Sequence, residues 1–341
     1  MLAKTRSSYL TGFNCLVRYC EANGLTLAKV ATSRAALCDF FAYMAYDFDA
    51  NTESGRLAPK AFGNYVTGAF FHLRARGVLY TDPLASPQVR MVKEGAMRVL
   101  RTPAATRRGF TPRELRNEVR ALRQLGTYDA ELAAAALVLA FFFLLRASSI
   151  TRTAGTDFGL RLRDVVLDTD ARTVTVSARV KRTGRCHGRH KTLVNRLQAT
   201  GEKELCPFKA ARRLRMARRR ERRRLGITTP PDPDAPLFPV SEEHPEQSRG
   251  YRWITRLCRD AVARANECSD TPDIPAGHLT PHSLRIGGTT AGAAAGIPLP
   301  VLMRLGGWSS DAILLYVRAT ADPLDGVAQA MAKAYCELLG P

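Results

Sequence analysis

The sequence predicts a mainly helical α+β protein in two domains: a helical one over residues 1–105, and a larger one over residues 106–341 in which helices surround a small antiparallel three-stranded sheet. Three observations carry this reading. The first hundred residues hold helix signals and almost no strand signals, the strand-like stretches are confined to residues 160–194, and the short basic stretch 101–109 (RTPAATRRG) is followed at once by a helix-start signature. At 341 residues the chain is long enough to bury two cores.

In the first domain, Tyr9, Leu10, Phe13, Leu16, Val17 and Cys20 recur at helical spacing, and Gly24 offers a stop. A second helix follows Thr32 and Ser33, with Leu37, Phe40, Phe41 and Met44 on one side. A third runs over about 59–76 and closes at Gly77, and a fourth starts at Ser86 with Pro87 in the first helical position. The second domain opens on Thr111-Pro112-Arg113-Glu114, which has the spacing of a capping box. Residues 131–146 are apolar nearly all round, as in a helix buried mid-domain, and their last member, Arg146, is a charge delivered to the edge of a core. Strands are expected over 160–167, 173–180 and about 190–194, the latter two joined by a basic turn at 183–188. Residues 207–225 read as a helix with nine arginines between 212 and 224, and 228–250 as a surface loop rich in proline and acidic residues. Helical patterns resume over 251–266 and past Pro281, and a last helical segment is expected over 322–339.

Lysine and arginine total 51 against 31 acidic residues, a formal charge of +20 spread along the whole chain. Such a field attracts polyanions, of which nucleic acid is the commonest. The eight cysteines are irregularly spaced and read as reduced, mostly buried thiols. Residues 1–11 lack the apolar core of a signal peptide, and the longest apolar run, 132–145, is too short to span a bilayer. An intracellular, soluble protein without a membrane partner is therefore expected, in the cytoplasm or nucleoid of a prokaryote or the nucleus of a eukaryote. Cys186, His187 and His190 lie close together but lack a fourth ligand at sensible spacing, so no metal is expected.

The chemistry sits near the C-terminal end. His282 and Arg285 are three residues apart and share one face of a helix. Leu305-Gly306-Gly307-Trp308 then precedes Tyr316 by a short interval. Taken singly these are bland: Tyr316 and Trp308 would be packing residues, and Arg146 a cation closing a helix C-terminus. Taken in order, the chain resembles the tyrosine recombinase, or phage-integrase, superfamily, in its simple two-domain, Cre-like type, and a mobile-element source fits. Arg146, Lys181, His282, Arg285, Trp308 and Tyr316 match the family's pattern in sequence. The match is specific over the last sixty residues and architectural over the first hundred.

The resemblance implies a DNA strand transferase that cuts and rejoins duplex DNA through a 3′-phosphotyrosyl bond to Tyr316, without metal, ATP or another cofactor. It implies that Arg146 and Arg285 grip the non-bridging phosphate oxygens, that Lys181 protonates the leaving 5′ oxygen, that His282 bonds the phosphate or moves a proton, and that Trp308 positions. The residue types suit this. Guanidinium groups make paired hydrogen bonds to phosphate and keep their charge at neutral pH, and an indole N–H cannot titrate. Two departures stand out: Ser149 occupies a place where the family usually has an acidic residue, and Lys191 lies in the same hairpin region as Lys181. Double-stranded DNA is the expected partner, with a homotetramer in the synaptic complex. Lys60, Asn64, Arg74 and Arg76 on the third helix and Arg182 in the hairpin are the candidate DNA contacts. The tail at 322–339 packs either on its own domain or on a neighbouring protomer. The arginine run 212–224 reads as a solvated face, a phosphate-contacting face or a nuclear-import signal. A type IB topoisomerase and a non-catalytic, sequence-specific DNA-binding protein are the competing functions.

Overall fold

The structure is a computed structural model and describes residues 3–46, 57–79, 82–100, 108–151, 159–181, 190–267 and 278–316. Its contacts divide the chain into two compact units, Met1–Ala104 and Ala105–Pro341. It is mostly helical, with a single small antiparallel sheet among the described residues.

The first unit holds α1 (Ala3–Ala22), α2 (Leu27–Thr32), α3 (Arg34–Tyr46), α4 (Pro59–Ala75) and α5 (Pro87–Val99). The sequence reading missed α2, a six-residue helix capped by Thr26, whose hydroxyl accepts from the Lys29 amide. A helix that short has too few positions to show a period. The core is aromatic: Phe40, Phe41 and Phe62 are fully buried among Phe13, Leu16, Val66 and Leu73. Each such side chain contributes about 1.5–3 kcal/mol on leaving water.

The second unit begins with α6 (Pro112–Gln124), which starts in the capping box that Thr111 and Glu114 predict. Next come α7 (Tyr128–Phe142) and the one-turn α8 (Ala147–Ile150). The sheet follows, with β1 (Val165–Asp168), β2 (Thr173–Lys181) and β3 (His190–Gln198) in the order β1-β2-β3, both pairs antiparallel. α9 (Pro207–Arg224), α10 (Tyr251–Glu267), α11 (Pro281–Ala294) and α12 (Leu299–Gly306) complete it. α7 is the spine: Leu132 through Phe141 are all buried, as an all-round apolar helix must be. α9 packs on one part of it and α11 on another.

In the sheet and the loop that follows α9 the structure differs from the sequence reading. β1 begins at Val165 rather than 160, because the residues before it turn: Asp164 accepts from the Arg161 amide at 2.8 Å and Leu160 accepts from the Leu237 amide at 2.8 Å. β3 runs on to Gln198 instead of stopping near 194. The stretch 228–250 is partly core, with Leu237, Phe238 and Glu242 buried. Arg218 on α9 holds it there through Glu242, at 2.6 Å, and through the Pro236 carbonyl, at 2.7 Å.

Of the cysteines described, Cys15, Cys20, Cys206 and Cys258 are buried free thiols and Cys38 is half-buried. Burial pushes the Cys15 and Cys258 thiols up to about 12, so both are inert. Among the described residues no helix is long and apolar enough to cross a membrane. Arg182, Cys186, His187 and the expected tail helix at 322–339 lie outside the described residues.

Candidate active site

α11 opens at Pro281 behind Thr280, whose amide donates to the Ser283 hydroxyl at 3.0 Å. His282 and Arg285 follow on one face. The two glycines after Arg285 explain where that face lies. A Cβ on Gly287 would sit 2.0 Å from the Phe110 carbonyl oxygen, and one on Gly288 2.2 Å from that of Phe141. Only glycines let α11 meet these two backbones, and the contact carries Arg285 under the C-terminal end of α7.

That end is a built feature. α7 stops at Phe142, four residues before Arg146, because Leu144 takes a left-handed conformation (φ 50°) and the Leu145 amide closes back on the Ala140 carbonyl at 2.9 Å. A left-handed leucine costs about 1–2 kcal/mol. Its side chain is buried with Leu302 and Ile313, and its carbonyl accepts from Arg285 Nη1, which together offset the cost. Arg146 is therefore not the last residue of the apolar helix, as the sequence suggested; it precedes α8 in extended conformation (ψ 152°).

Arg285 is 1% exposed. Besides the Leu144 carbonyl it donates from Nη2 to the Gly306 carbonyl at 2.7 Å, and its Nε is buried without a hydrogen-bond partner among the described residues. The guanidinium carbon lies 3.6 Å from the centre of the Trp308 ring, a cation–π contact. Burial first, and then the neighbouring Arg146 cation, push its pKa down to about 9, against the opposing influence of the Tyr316 phenol. Arg146 is half-buried, and among the described residues its side chain has no hydrogen bond or ion pair.

The Leu305-Gly306-Gly307-Trp308 turn sets the indole. A Cβ on Gly306 would fall 1.8 Å from the Trp308 ring, and Gly307 ends α12 in left-handed conformation (φ 70°) against the Leu193 side chain of β3. Asn195, also on β3, donates to the Leu305 carbonyl at 3.0 Å, so the sheet and the turn are tied together.

Tyr316 follows a 3₁₀ turn over Asp311–Leu315 and is half-buried. Its ring centre is 5.0 Å from that of His282, 5.0 Å from that of Trp308, and 5.6 Å from the Arg285 guanidinium carbon. Thr290 of α11 donates to the Tyr316 carbonyl at 3.0 Å and pins its backbone.

The fold thus gathers His282, Arg285, Trp308 and Tyr316, with Arg146 close enough for its charge to act on Arg285. Lys181 is the last residue of β2, in register with His190, and Lys191 is paired with Val180 one step away. Leu144, Asn195 and Thr290 were missed by sequence reasoning: each acts through a backbone carbonyl, which leaves no mark on residue type. Chemically the cluster offers a phenol beside two cations that no carboxylate neutralises among the described residues. Such a place favours an anion.

The DNA-contact candidates of the first unit divide. Lys60 is the second residue of α4, and Asn64 and Arg74 are exposed on the same stripe of that helix. Arg74 lies 3.8 Å from Asp82. Arg76 lies past the helix end and folds back, its guanidinium 4.1 Å from the Phe13 ring centre, so it does not share their face. His72 is wedged beside Phe13 and Phe71, and burial lowers its pKa.

No protein-family profile matches the chain, and no curated protein does. Solved structures do. The integrase of transposon Tn1549, solved in complex with circular-intermediate DNA, is 16% identical with a TM-score of 0.53, over 88% of this chain and 85% of that one. The XerH site-specific recombinase, solved bound to its difH substrate in a pre-cleavage complex, is 12% identical with a TM-score of 0.57, over 94% of this chain and 78% of that one.

Proposed function

We propose that this chain, which has the fold of the tyrosine recombinases, is a site-specific DNA recombinase or integrase working through a covalent bond to Tyr316. The observation that carries the reading is the Tyr316 phenol packed between His282 and Trp308 against a buried arginine that has no carboxylate partner among the described residues. The Tyr316 oxygen attacks the scissile phosphorus, the bond to the 5′ oxygen breaks, and the 3′ phosphate stays on the tyrosine. A 5′ hydroxyl, from the same or another strand, later reverses the step. The bond energy is kept in the phosphotyrosyl ester, so no ATP is consumed.

Each residue has a role in this reading. Arg285, held by two carbonyls and the indole face, presents its remaining N–H groups to the non-bridging oxygens, and Arg146 adds the second cation. Lys181 is the general acid for the leaving 5′ oxygen. His282 bonds the phosphate, and Trp308 holds Arg285 as well as packing on Tyr316. Synapsis of four protomers on two duplexes provides the exchange.

The test is a nicked duplex carrying the repeat sequences that flank the gene, incubated with the full chain and with Tyr316→Phe. The wild type should become covalently linked to DNA, and the variant should bind the duplex with unchanged affinity and form no linked product. Covalent trapping by the variant would overturn the assignment of the nucleophile. Relaxation of supercoiled plasmid lacking any site would instead make the chain a topoisomerase.

A further inference from the structure

The arginine helix α9 is split between two uses. Arg218 and Arg222 are buried, 3% and 8% exposed, and both reach the carboxylate of Glu242. Arg219 and Arg223 are exposed and, among the described residues, have no carboxylate partner. They are four apart, so their side chains are neighbours on one face. Together with Arg215, the turn from Gly226 to Pro233 and Arg163, which is itself paired with Asp234 at 2.7 Å, they line a cleft of about 790 Å³. The neighbouring flank of the same helix is mainly cationic too, with Lys203, Lys209, Arg212 and Arg220 around a second hollow in which Glu131 pairs with Arg213. Burial first, and then the neighbouring Arg219 cation, lower the pKa of Arg215.

This surface is remote from Tyr316. Arg213 lies 3.6 Å from Glu131, and Arg218 shares Glu242 with Tyr128, so the basic half of α9 sits beside the first turn of α7. Arg285 sits at the other end of that helix, on Leu144. From Glu131 to Phe142 is eleven steps of helix, about 17 Å at 1.5 Å per residue. None of the residues lining the cleft belongs to the Tyr316 cluster.

We infer that the exposed arginine face of α9 is a second nucleic-acid site, which grips the phosphate backbone of a duplex segment other than the one at Tyr316. The inference rests on the reading of the chain as a DNA-working protein and adds a surface to it. Cations on both flanks of one helix match an extended polyanion rather than a small ligand. Arginine rather than lysine suits phosphate, which its planar fork meets with two bonds. The cleft lining contains no aromatic ring on which unpaired bases could stack, which favours a duplex over a single strand.

The test uses the full chain saturated with an unlabelled duplex and titrated with a fluorescent duplex of unrelated sequence over a range of salt concentrations. Arg219→Glu with Arg223→Glu should weaken capture of the second duplex about tenfold or more and flatten its log–log salt slope by about 1.8, because two phosphates are no longer neutralised. Affinity for the first duplex and covalent trapping on a nicked substrate should stay within about twofold, and melting should be unaltered, since both side chains are exposed. Equal capture by variant and wild type overturns the inference. So does a loss of polyglutamate binding with DNA capture intact, which would make an acidic protein the occupant. Failure of the wild type to trap a nicked substrate would sink the Tyr316 reading alone, leaving the capture result to stand by itself.

Discussion

Arg218 and Arg285 are buried in the same unit, 3% and 1% exposed, but their surroundings differ. Arg218 meets Glu242 from Nε at 2.6 Å and from Nη2 at 3.2 Å, and spends its other donor on the carbonyls of Pro236 and Leu237. Arg285 meets two carbonyls and an indole face, keeps Nε unbonded, and has a second arginine for a neighbour. A buried charge is tolerable when it is paired and hydrogen-bonded. The first arginine is complete and therefore structural: it holds the 228–250 stretch on α9. The second has no carboxylate partner among the described residues, and on the proposed reading a phosphodiester supplies the negative charge it lacks.

The largest effect is expected at the structural arginine. Glu242→Ala leaves Arg218 and Arg222 buried without a carboxylate, and should cost about 3–5 kcal/mol of stability, read as a lowered midpoint in urea. A loss under about 1 kcal/mol would mean that the carbonyls alone satisfy Arg218.

A smaller effect, of opposite sign, is expected at the other arginine. Sulfate or phosphate at about one hundred times its dissociation constant should stabilise the wild type by about 2.7 kcal/mol. The gain should shrink in Arg285→Lys, where the two carbonyl anchors cannot both be kept, and in Arg146→Ala. It should also depend on pH with a definite sign. Burial and Arg146 depress Arg285 to about 9, so in the anion-free protein the guanidinium is fully charged well below that pH and begins to lose its proton as the pH rises through it. Anion stabilisation should then be full at pH 7 and decline above about 9. A flat profile in calorimetric melts from pH 7 to 10 would detach the anion site from Arg285.

The smallest effect concerns the anchor of Tyr316. Thr290→Val removes the hydroxyl that donates to the Tyr316 carbonyl and should cost about 1 kcal/mol. On the proposed reading it slows covalent-complex formation severalfold with DNA affinity unchanged. A parallel loss of affinity would mark Thr290 as a general packing residue.

Much of this was legible in the sequence. The capping box at Thr111, the all-apolar run of α7, the antiparallel strands and the order of His282, Arg285, Trp308 and Tyr316 can all be read without coordinates, because each rests on local pattern or on residue type. The misreadings have a common origin. α7 carries its apolar pattern on to Leu145, but the helix stops at Phe142, since the left-handed turn at Leu144 is supported by a hydrogen bond from Arg285, 141 residues away. The 228–250 stretch has the composition of a surface loop, and the partner that buries it is an arginine on another element.

The two-part helical layout, the cationic field and the residue types of the candidate site are written locally, because periodicity and composition act over a few turns of chain. Which of the many arginines are spent on pairing and which are left open is settled only in three dimensions. Pairing depends on which carboxylates and carbonyls arrive from distant segments: Glu242 reaches Arg218, whereas Arg285 meets two carbonyls and, among the described residues, no carboxylate. Burial then turns that difference in partners into a difference in role, since a charge removed from water is stabilised only by what folding places beside it.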